Sequence, residues 1–359
     1  MTNLRFKRFY FFFLSLAILG VERAAAFSKV SLEGFVDTYY AMDFNQPPMG
    51  DRPYTTLPTR QNEFAVNLAT LGMSVARDRA RGRLALQTGT SVFANYSNEV
   101  REGSGAGPYL ADLIQHIQEA FAGYQLSENL WVDAGIYFSH IGTESFISKS
   151  NWTYTRSLVA DFSPYYQSGV RLSWKASPSL SVQFHVMNGW QNILETNRDK
   201  ALGTQIIYQP NPKWSLTWNT FVGKETELRI FQDWGLKVDV SPSWEILVTF
   251  DYGMQKGGGQ GYLSWHGESL VNRFAFSETT HLAVRAERYF DPNKIIAKTG
   301  SPQGLQAWGA STNLDIQLTP ELLWRNEVKW LTSQDAVYPS DNGNRNNVFL
   351  AVTSLGVTL

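Results

Sequence analysis

The sequence predicts an all-β fold: a transmembrane antiparallel β-barrel of about 16 strands, with short periplasmic turns and long extracellular loops. Three observations predict it. Apolar and polar residues alternate with a period of two along most of the chain, short polar turns alternate with longer connections, and 14% aromatic content coexists with a mean hydropathy of −0.25. A barrel wall interleaves lipid-facing apolar residues with lumen-facing polar ones, so averaged hydropathy cancels while aromatics accumulate at the interfaces.

The clearest strand sets Leu180, Val182, Phe184 and Val186 against Ser181, Gln183 and His185. Trp244, Ile246, Val248, Phe250 and Tyr252 form a second such face, and Trp214, Leu216, Trp218 and Val222 a third. Successive side chains on a strand point to opposite faces, so each run has one apolar and one polar side. Short turns are read at Arg79-Ala80, Ser127-Glu128-Asn129, Ser177-Pro178, Pro210-Asn211-Pro212, Ser241-Pro242-Ser243, Ser277-Glu278-Thr279 and Thr319-Pro320-Glu321. Between them fall connections near residues 44–61, 97–113, 142–164, 189–201, 224–226, 256–261, 291–303 and 334–346, mostly long. Seven turns and eight loops imply 16 strands, and moving one hairpin boundary would give 14 or 18. A barrel of this size encloses an aqueous channel, whereas eight strands would be filled by side chains.

Aromatic residues cluster at strand ends. Trp174, Trp214, Trp244 and Trp324 lie beside short turns, and Tyr40, Tyr96, Tyr166, Tyr252 and Trp330 near the opposite ends, as two interfacial girdles require. A soluble sandwich would instead gather its large residues at strand centres. One strand breaks phase, with Phe64, Val66 and Leu68 on one parity and Leu71, Met73 and Val75 on the other, so a β-bulge near Thr70 is expected. The last strand, with Phe349, Ala351, Thr353, Leu355, Val357 and Leu359 on one face, must pair with the first, near Val30 to Asp43, because an open edge in lipid leaves backbone groups unsatisfied.

The N-terminus reads as a signal peptide over residues 1–26: Arg5, Lys7 and Arg8, an apolar run from Phe9 to Val21, then Ala24-Ala25-Ala26. That run is too short for a spanning helix, which needs roughly 20 residues. Residues 27–359 then form the barrel. Removing four basic residues (Arg5, Lys7, Arg8, Arg23) and Glu22 from the 31 basic and 32 acidic leaves 27 against 31, which gives no electrostatic footprint for nucleic acid. The chain has no cysteine, so disulfides, thiolate metal sites and cysteine nucleophiles are excluded.

Charges in the lumen phase are Glu33, Asp37, Asp133, Arg171, Lys237, Asp239, Asp251, Arg285, Glu287, Arg325, Glu327 and Lys329. Arg or Lys on the lipid face would cost about 2–4 kcal/mol at mid-depth, so these groups should face water. The mixture of signs predicts weak ion selectivity, or pairing across strands. None of His116, His140, His185, His266 and His281 has a partner at metal-ligand spacing. Ser139 and His140 are adjacent and would point to opposite faces of a strand, which rules against a nucleophile and its base. The run Gly257-Gly258-Gly259-Gln260-Gly261 lacks the Lys-Ser/Thr of a phosphate loop and reads as a loop tip.

Several blocks resemble the OmpL-like β-barrel porin family: residues 138–145 (FSHIGTES), Asn151-Trp152-Thr153, Thr155-Arg156-Ser157-Leu158, residues 163–169 (SPYYQSG), Asn188-Gly189-Trp190-Gln191, Phe44-Asn45-Gln46-Pro47 and Arg60-Gln61-Asn62-Glu63-Phe64. The similarity covers most of the chain after the leader. It implies an outer-membrane pore without an agreed substrate. By analogy with 16-stranded porins, the third and longest external connection, Gly142 to Pro164, folds into the lumen and places Glu144, Lys149, Arg156 and Asp161 at a constriction. The expected activity is passive diffusion of small hydrophilic solutes through an aqueous channel, without catalysis or cofactor. Expected partners are outer-membrane lipid, the solutes and further copies in a homotrimer. The alternatives are a non-conducting adhesin or structural anchor and, more remotely, a barrel hydrolase.

Overall fold

Residues 29–97, 99, 108–195, 197–259 and 261–359 are described by a computed structural model. The expected leader lies outside the described residues. The wall begins with β1 (Lys29–Asp43), β2 (Phe64–Arg77), β3 (Ala80–Thr88), β4 (Ile117–Ser127), β5 (Leu130–Phe138), β6 (Tyr166–Ser177), β7 (Leu180–Met187) and β8 (Ala201–Asn211). It continues through β9 (Trp214–Lys224), β10 (Leu228–Ser241), β11 (Trp244–Gly257), β12 (Gly261–Ala275), β13 (Thr280–Asp291), β14 (Leu305–Gln317) and β15 (Leu322–Ser333). A small hairpin of β16 (Tyr338–Ser340) and β17 (Gly343–Arg345) precedes the last wall strand, β18 (Asn347–Thr358). Helices α1 (Thr90–Asn95) and α2 (Pro108–Ile114) lie in the second long connection, and α3 (Leu158–Asp161) in the third.

Among the described residues, 16 strands form one closed antiparallel barrel in which each pairs with its chain neighbours. β1 closes on β18 from Phe35 opposite Thr358 to Asp43 opposite Leu350. The short turns fall within two residues of the positions read from sequence, and the long connections match in number and order. Closure gives every wall strand two partners, so no edge is left to be solvated within a bilayer.

The distribution of polarity is inverted relative to a soluble protein. Phe184 (51%), Leu202 (58%) and Leu71 (61%) are widely accessible on the outer surface, whereas Asp133, Asn219, Asp233 and Arg285 are fully buried inside. Val248, Leu236 and Leu270 form one outward row across three strands. Trp174, Trp244, Trp324 and Trp330 face outward near strand ends, as expected of girdles.

Three details differ from the sequence reading. The bulge in β2 is at Asn67 rather than near Thr70: Asp37 pairs with Leu68 and Thr38 with Val66. Leu68 is consequently buried inside, while Phe64 and Val66 stay on the outside with Leu71 and Met73. Tyr96 and Tyr166 are not girdle residues. They are buried and stacked at 4.2 Å, and the Tyr166 hydroxyl donates to Glu99 Oε1 at 2.7 Å, because the second connection folds over the end of β6. That connection, residues 89–116, is also one residue longer than the third, residues 139–165, since β3 ends earlier than its apolar pattern suggested.

A charge placed on the outward row tests this orientation. Val248→Arg is expected to cost about 2–4 kcal/mol in equilibrium folding titrations in lipid vesicles. An unchanged midpoint and slope would place Val248 off the lipid face.

Candidate functional site

The third connection leaves β5 and lies across the lumen, held by its own polar side chains and by wall strands from most of the circumference. Its local folds are sequence-encoded. Ser139 Oγ accepts from the Ile141 N–H (3.1 Å), and Asn151 bridges both backbone groups of Ser145 (2.6 and 3.0 Å). Ser157 caps α3, its Oγ accepting from the Ala160 N–H at 3.2 Å, as Ser commonly does at a helix start.

The middle of the loop is seated on β13 and β15. Arg285 donates to Thr153 Oγ1 (2.6 Å), the Thr155 carbonyl (2.7 Å) and Thr155 Oγ1 (2.7 Å), while Glu327 accepts from the Thr155 N–H (2.6 Å) and hydroxyl (2.9 Å). Glu287 accepts from the Leu158 N–H (2.6 Å), one of the donors a helix start leaves unpaired, and Lys329 Nζ donates to the Arg156 carbonyl (3.0 Å). These four wall charges also pair with one another: Lys329 with Glu287 at 3.0 Å, Arg285 with Glu327 at 3.3 Å and with Glu287 at 3.5 Å. All are buried, and buried charges are tolerated when each is both paired and hydrogen-bonded. Arg325, fixed by Asp315 (2.7 and 2.9 Å), holds the Ser148 and Asn151 carbonyls, and Asp37 accepts from Ser148 Oγ at 2.7 Å.

The two limbs of the loop are pinned on the opposite side. Asp233 of β10 and Asp251 of β11 are direct register partners: Asp233 accepts from the Gly142 N–H (3.3 Å) and Asp251 from Ser163 Oγ (2.8 Å). The loop can lie this close because two wall positions lack a side chain. A Cβ on Gly203 would come within 2.6 Å of the His140 ring, and one on Gly235 within 2.3 Å of Thr143 Cγ2.

All four residues expected at a constriction lie on this inward loop, but they are not brought together as facing rows. Glu144, its side chain largely buried, accepts from the Ser157 N–H at 3.1 Å and lies 3.8 Å from Arg285. Arg156 is buried with its guanidinium 3.7 Å over the Tyr165 ring, and Asp161 accepts from the Thr56 N–H (3.1 Å), Thr56 Oγ1 (2.6 Å) and Tyr165 Oη (3.1 Å). Burial raises the Asp161 carboxyl above the usual carboxylate range, opposed by the nearby Lys329 and Arg156 charges. Lys149 stands apart, donating to Thr358 Oγ1 at 3.0 Å and lying over Phe35.

The other wall charges expected to face the lumen are paired. Asp133 is shared by Arg81 (2.6 Å) and Arg171 (2.9 Å), Lys237 lies between Glu245 (2.9 Å) and Asp239 (3.3 Å), and Arg83 bridges Glu33 and Glu119. Arg81, Arg83, Glu119, Asp233, Glu245 and Asp315 were not singled out from the sequence. Their inward phase on the period-two pattern was the available signal.

His140 and His185 stack at 4.1 Å. His140 Nε2 donates to the Thr220 carbonyl and Nδ1 meets the Gln167 amide, both at 2.9 Å, so neither nitrogen reaches Ser139. Burial holds His140 below the usual imidazole value of 6.5 despite these bonds.

Free volume lies on both sides of the loop. An outer vestibule of about 1120 Å³ is bounded by the long connections, including Thr55, Asp161, Tyr165 and Trp190. At the short-turn end, chambers of about 250 and 220 Å³ share Ser150, Asn151 and Trp152 of the loop.

The family model described as "Putative beta-barrel porin-2, OmpL-like" matches residues 29–359. The chain belongs to this OmpL-like porin family. No curated protein matches it. Among solved structures, this OmpL-like barrel is similar to the anion-selective porin from Comamonas acidovorans, with TM-score 0.62 and 10% identity over 92% of this chain and 100% of that one. It is also similar to the outer-membrane channel DcaP of Acinetobacter baumannii, with TM-score 0.63 and 10% identity over 92% and 97% of the two chains. The trimer form of OmpT from Vibrio cholerae gives TM-score 0.60 and 7% identity over 92% and 99%. At these identities the likeness is one of fold. Family membership places the protein in the bacterial outer membrane.

Removing one clamp should release the loop. Glu327→Ala leaves the buried Thr155 N–H without its acceptor and takes away one of the three carboxylates around Arg285, and is expected to cost about 1–3 kcal/mol, with trypsin gaining access to Arg156. Retained resistance at Arg156 and unchanged stability would mean that the clamp does not hold the loop. The loop root is also expected to respond to acid. Because the folded-state pKa of His140 is depressed, its stabilising contribution is complete above about 6.5 and is lost as pH falls below it. Melting temperatures from about pH 7.5 to about pH 5 should therefore fall more steeply in the wild type than in His140→Gln, and parallel profiles would remove His140 from the account.

Proposed function

We propose that the chain forms a water-filled pore through which small hydrophilic solutes diffuse passively across the outer membrane. The single observation that carries this reading is the polar interior: a closed wall with apolar side chains outside encloses charged and amide side chains, with a vestibule of about 1120 Å³ above the inward loop and chambers below it. The inward loop sets the narrowest section, with Asp161 and Tyr165 on its vestibule side, Arg156 stacked on Tyr165, and Glu144 and Lys149 facing the chambers at the short-turn end. Because the lumen charges are largely paired, ion selectivity is weak. Residues 1–26 serve as an export signal cleaved after Ala26. The working unit is a homotrimer, a reading supported by the trimer form of the OmpT neighbour and by the flat outer row of Gly82, Ala122 and Ala134.

Conductance in planar bilayers and liposome swelling with sugars of graded size test the pore. Ion current and size-limited sugar entry are expected, whereas a silent bilayer with impermeable liposomes would favour a non-conducting anchor. Arg156→Ala is expected to change conductance or the cation-to-anion permeability ratio. If currents and permeation stay the same, the loop does not form the constriction. The mass of the purified protein should correspond to a chain beginning at Phe27.

A further inference from the structure

Among the described arginines that line the outer vestibule, Arg52 and Arg60 are ion-paired and Arg229 is not. Arg229, near the loop end of β10, is buried, and among the described residues no carboxylate lies within ion-pair distance of it. Its Nε and Nη2 are both taken by Gln255 Oε1, at 3.0 and 2.7 Å, and Gln255 is steadied in turn by Thr226 Oγ1 at 3.3 Å. The guanidinium carbon lies 5.1 Å from the Trp190 ring and 5.7 Å from that of Trp265. Trp190 is itself fixed, its ring edge-on to Phe221 and Phe231 and its backbone N–H donating to Glu225 Oε1 at 2.8 Å. Glu225, engaged by that hydrogen bond, and Asp291, which accepts from the Ile295, Ile296 and Ala297 N–H groups, act on Arg229 only through space.

The arrangement contrasts with most arginines of the lumen, Arg156 over the Tyr165 ring being the exception among the described residues. Arg52, Arg81, Arg83, Arg171, Arg285 and Arg325 each have a carboxylate partner. A buried guanidinium whose hydrogen bonds go only to a neutral amide, with the carboxylates of Glu225 and Asp291 engaged by backbone N–H groups, is an arrangement that an incoming anion stabilises. The remaining Nη1 edge is free among the described residues, and the rigid fork suits a carboxylate. The indole beside it suits an apolar or aromatic body on the same solute.

We propose that the outer vestibule contains a binding subsite for small organic monocarboxylates, in which Arg229 takes the carboxylate and Trp190 packs against the rest of the solute. The proposal rests on the pore reading for its purpose but not for its test. Titration calorimetry of the full-length barrel in detergent, with sodium benzoate as the probe and benzamide as its neutral counterpart, measures the subsite. Benzoate is expected to bind, and Arg229→Gln to weaken it by about tenfold or more, the scale of a lost charged hydrogen bond. Arg229→Lys should retain part of the affinity, and it carries the test if the glutamine variant fails to fold. Benzoate bound equally by wild type and Arg229→Gln, or no better than benzamide by the wild type, would overturn the subsite. Potassium chloride conductance of the same preparations separates the two readings. Current without Arg229-dependent benzoate binding removes the subsite alone, whereas Arg229-dependent binding without current removes the pore alone.

Discussion

The pairing of β1 with β18 is the constraint on which the rest of the structure depends. A ladder of 15 paired junctions would still leave two strands with unpaired amide and carbonyl rows, and in hydrocarbon each such group costs several kcal/mol. The register from Phe35–Thr358 to Asp43–Leu350 removes both edges at once. Once the ring is closed, the pleat alone decides which side chains meet lipid and which meet the lumen. Apolar residues can therefore lie on the outside while Asp133, Asn219, Asp233 and Arg285 fill the inside.

That inversion explains why the interior is organised by ion pairs and hydrogen bonds. A loop entering an apolar core would have to abandon its backbone hydrogen bonds. Here it meets Arg285, Glu287, Glu327 and Lys329, which accept its amides and donate to its carbonyls. The wall charges gain as much from the loop as the loop does from them, because neither would be fully satisfied alone. Asp37 shows the same reciprocity on the first strand, sharing one carboxylate oxygen between Asn67 of the bulge and Ser148 of the loop.

Much of this was legible in the sequence because a barrel wall is a local code. Period two places each side chain, and short turns such as Ser177-Pro178 and Ser241-Pro242-Ser243 mark the strand ends, so strand number, closure and the inward phase of Asp37, Asp133, Asp251 and Arg285 follow from neighbouring residues. What escaped depends on distant residues. The bulge was misplaced by three positions because Leu68 is apolar on either face, and only its pairing opposite Asp37 shows that it points inward. The strand pattern puts Tyr166 in a girdle because nothing in its own strand reveals that Tyr96 and Glu99 come to cover it. The pairing of Asp233 with Asp251 and the isolation of Arg229 are properties of neighbouring strands in register, which one-dimensional patterning does not display.

The anchors of the inward loop have a consequence for assembly. They come from β1, β9, β10, β11, β13, β14 and β15, most of them synthesised after the loop itself. While the nascent chain is being inserted, the segment between β5 and β6 has only a fraction of its final partners, and its polar groups must stay hydrated. The loop therefore cannot gain its full set of anchors until β15 has joined the wall.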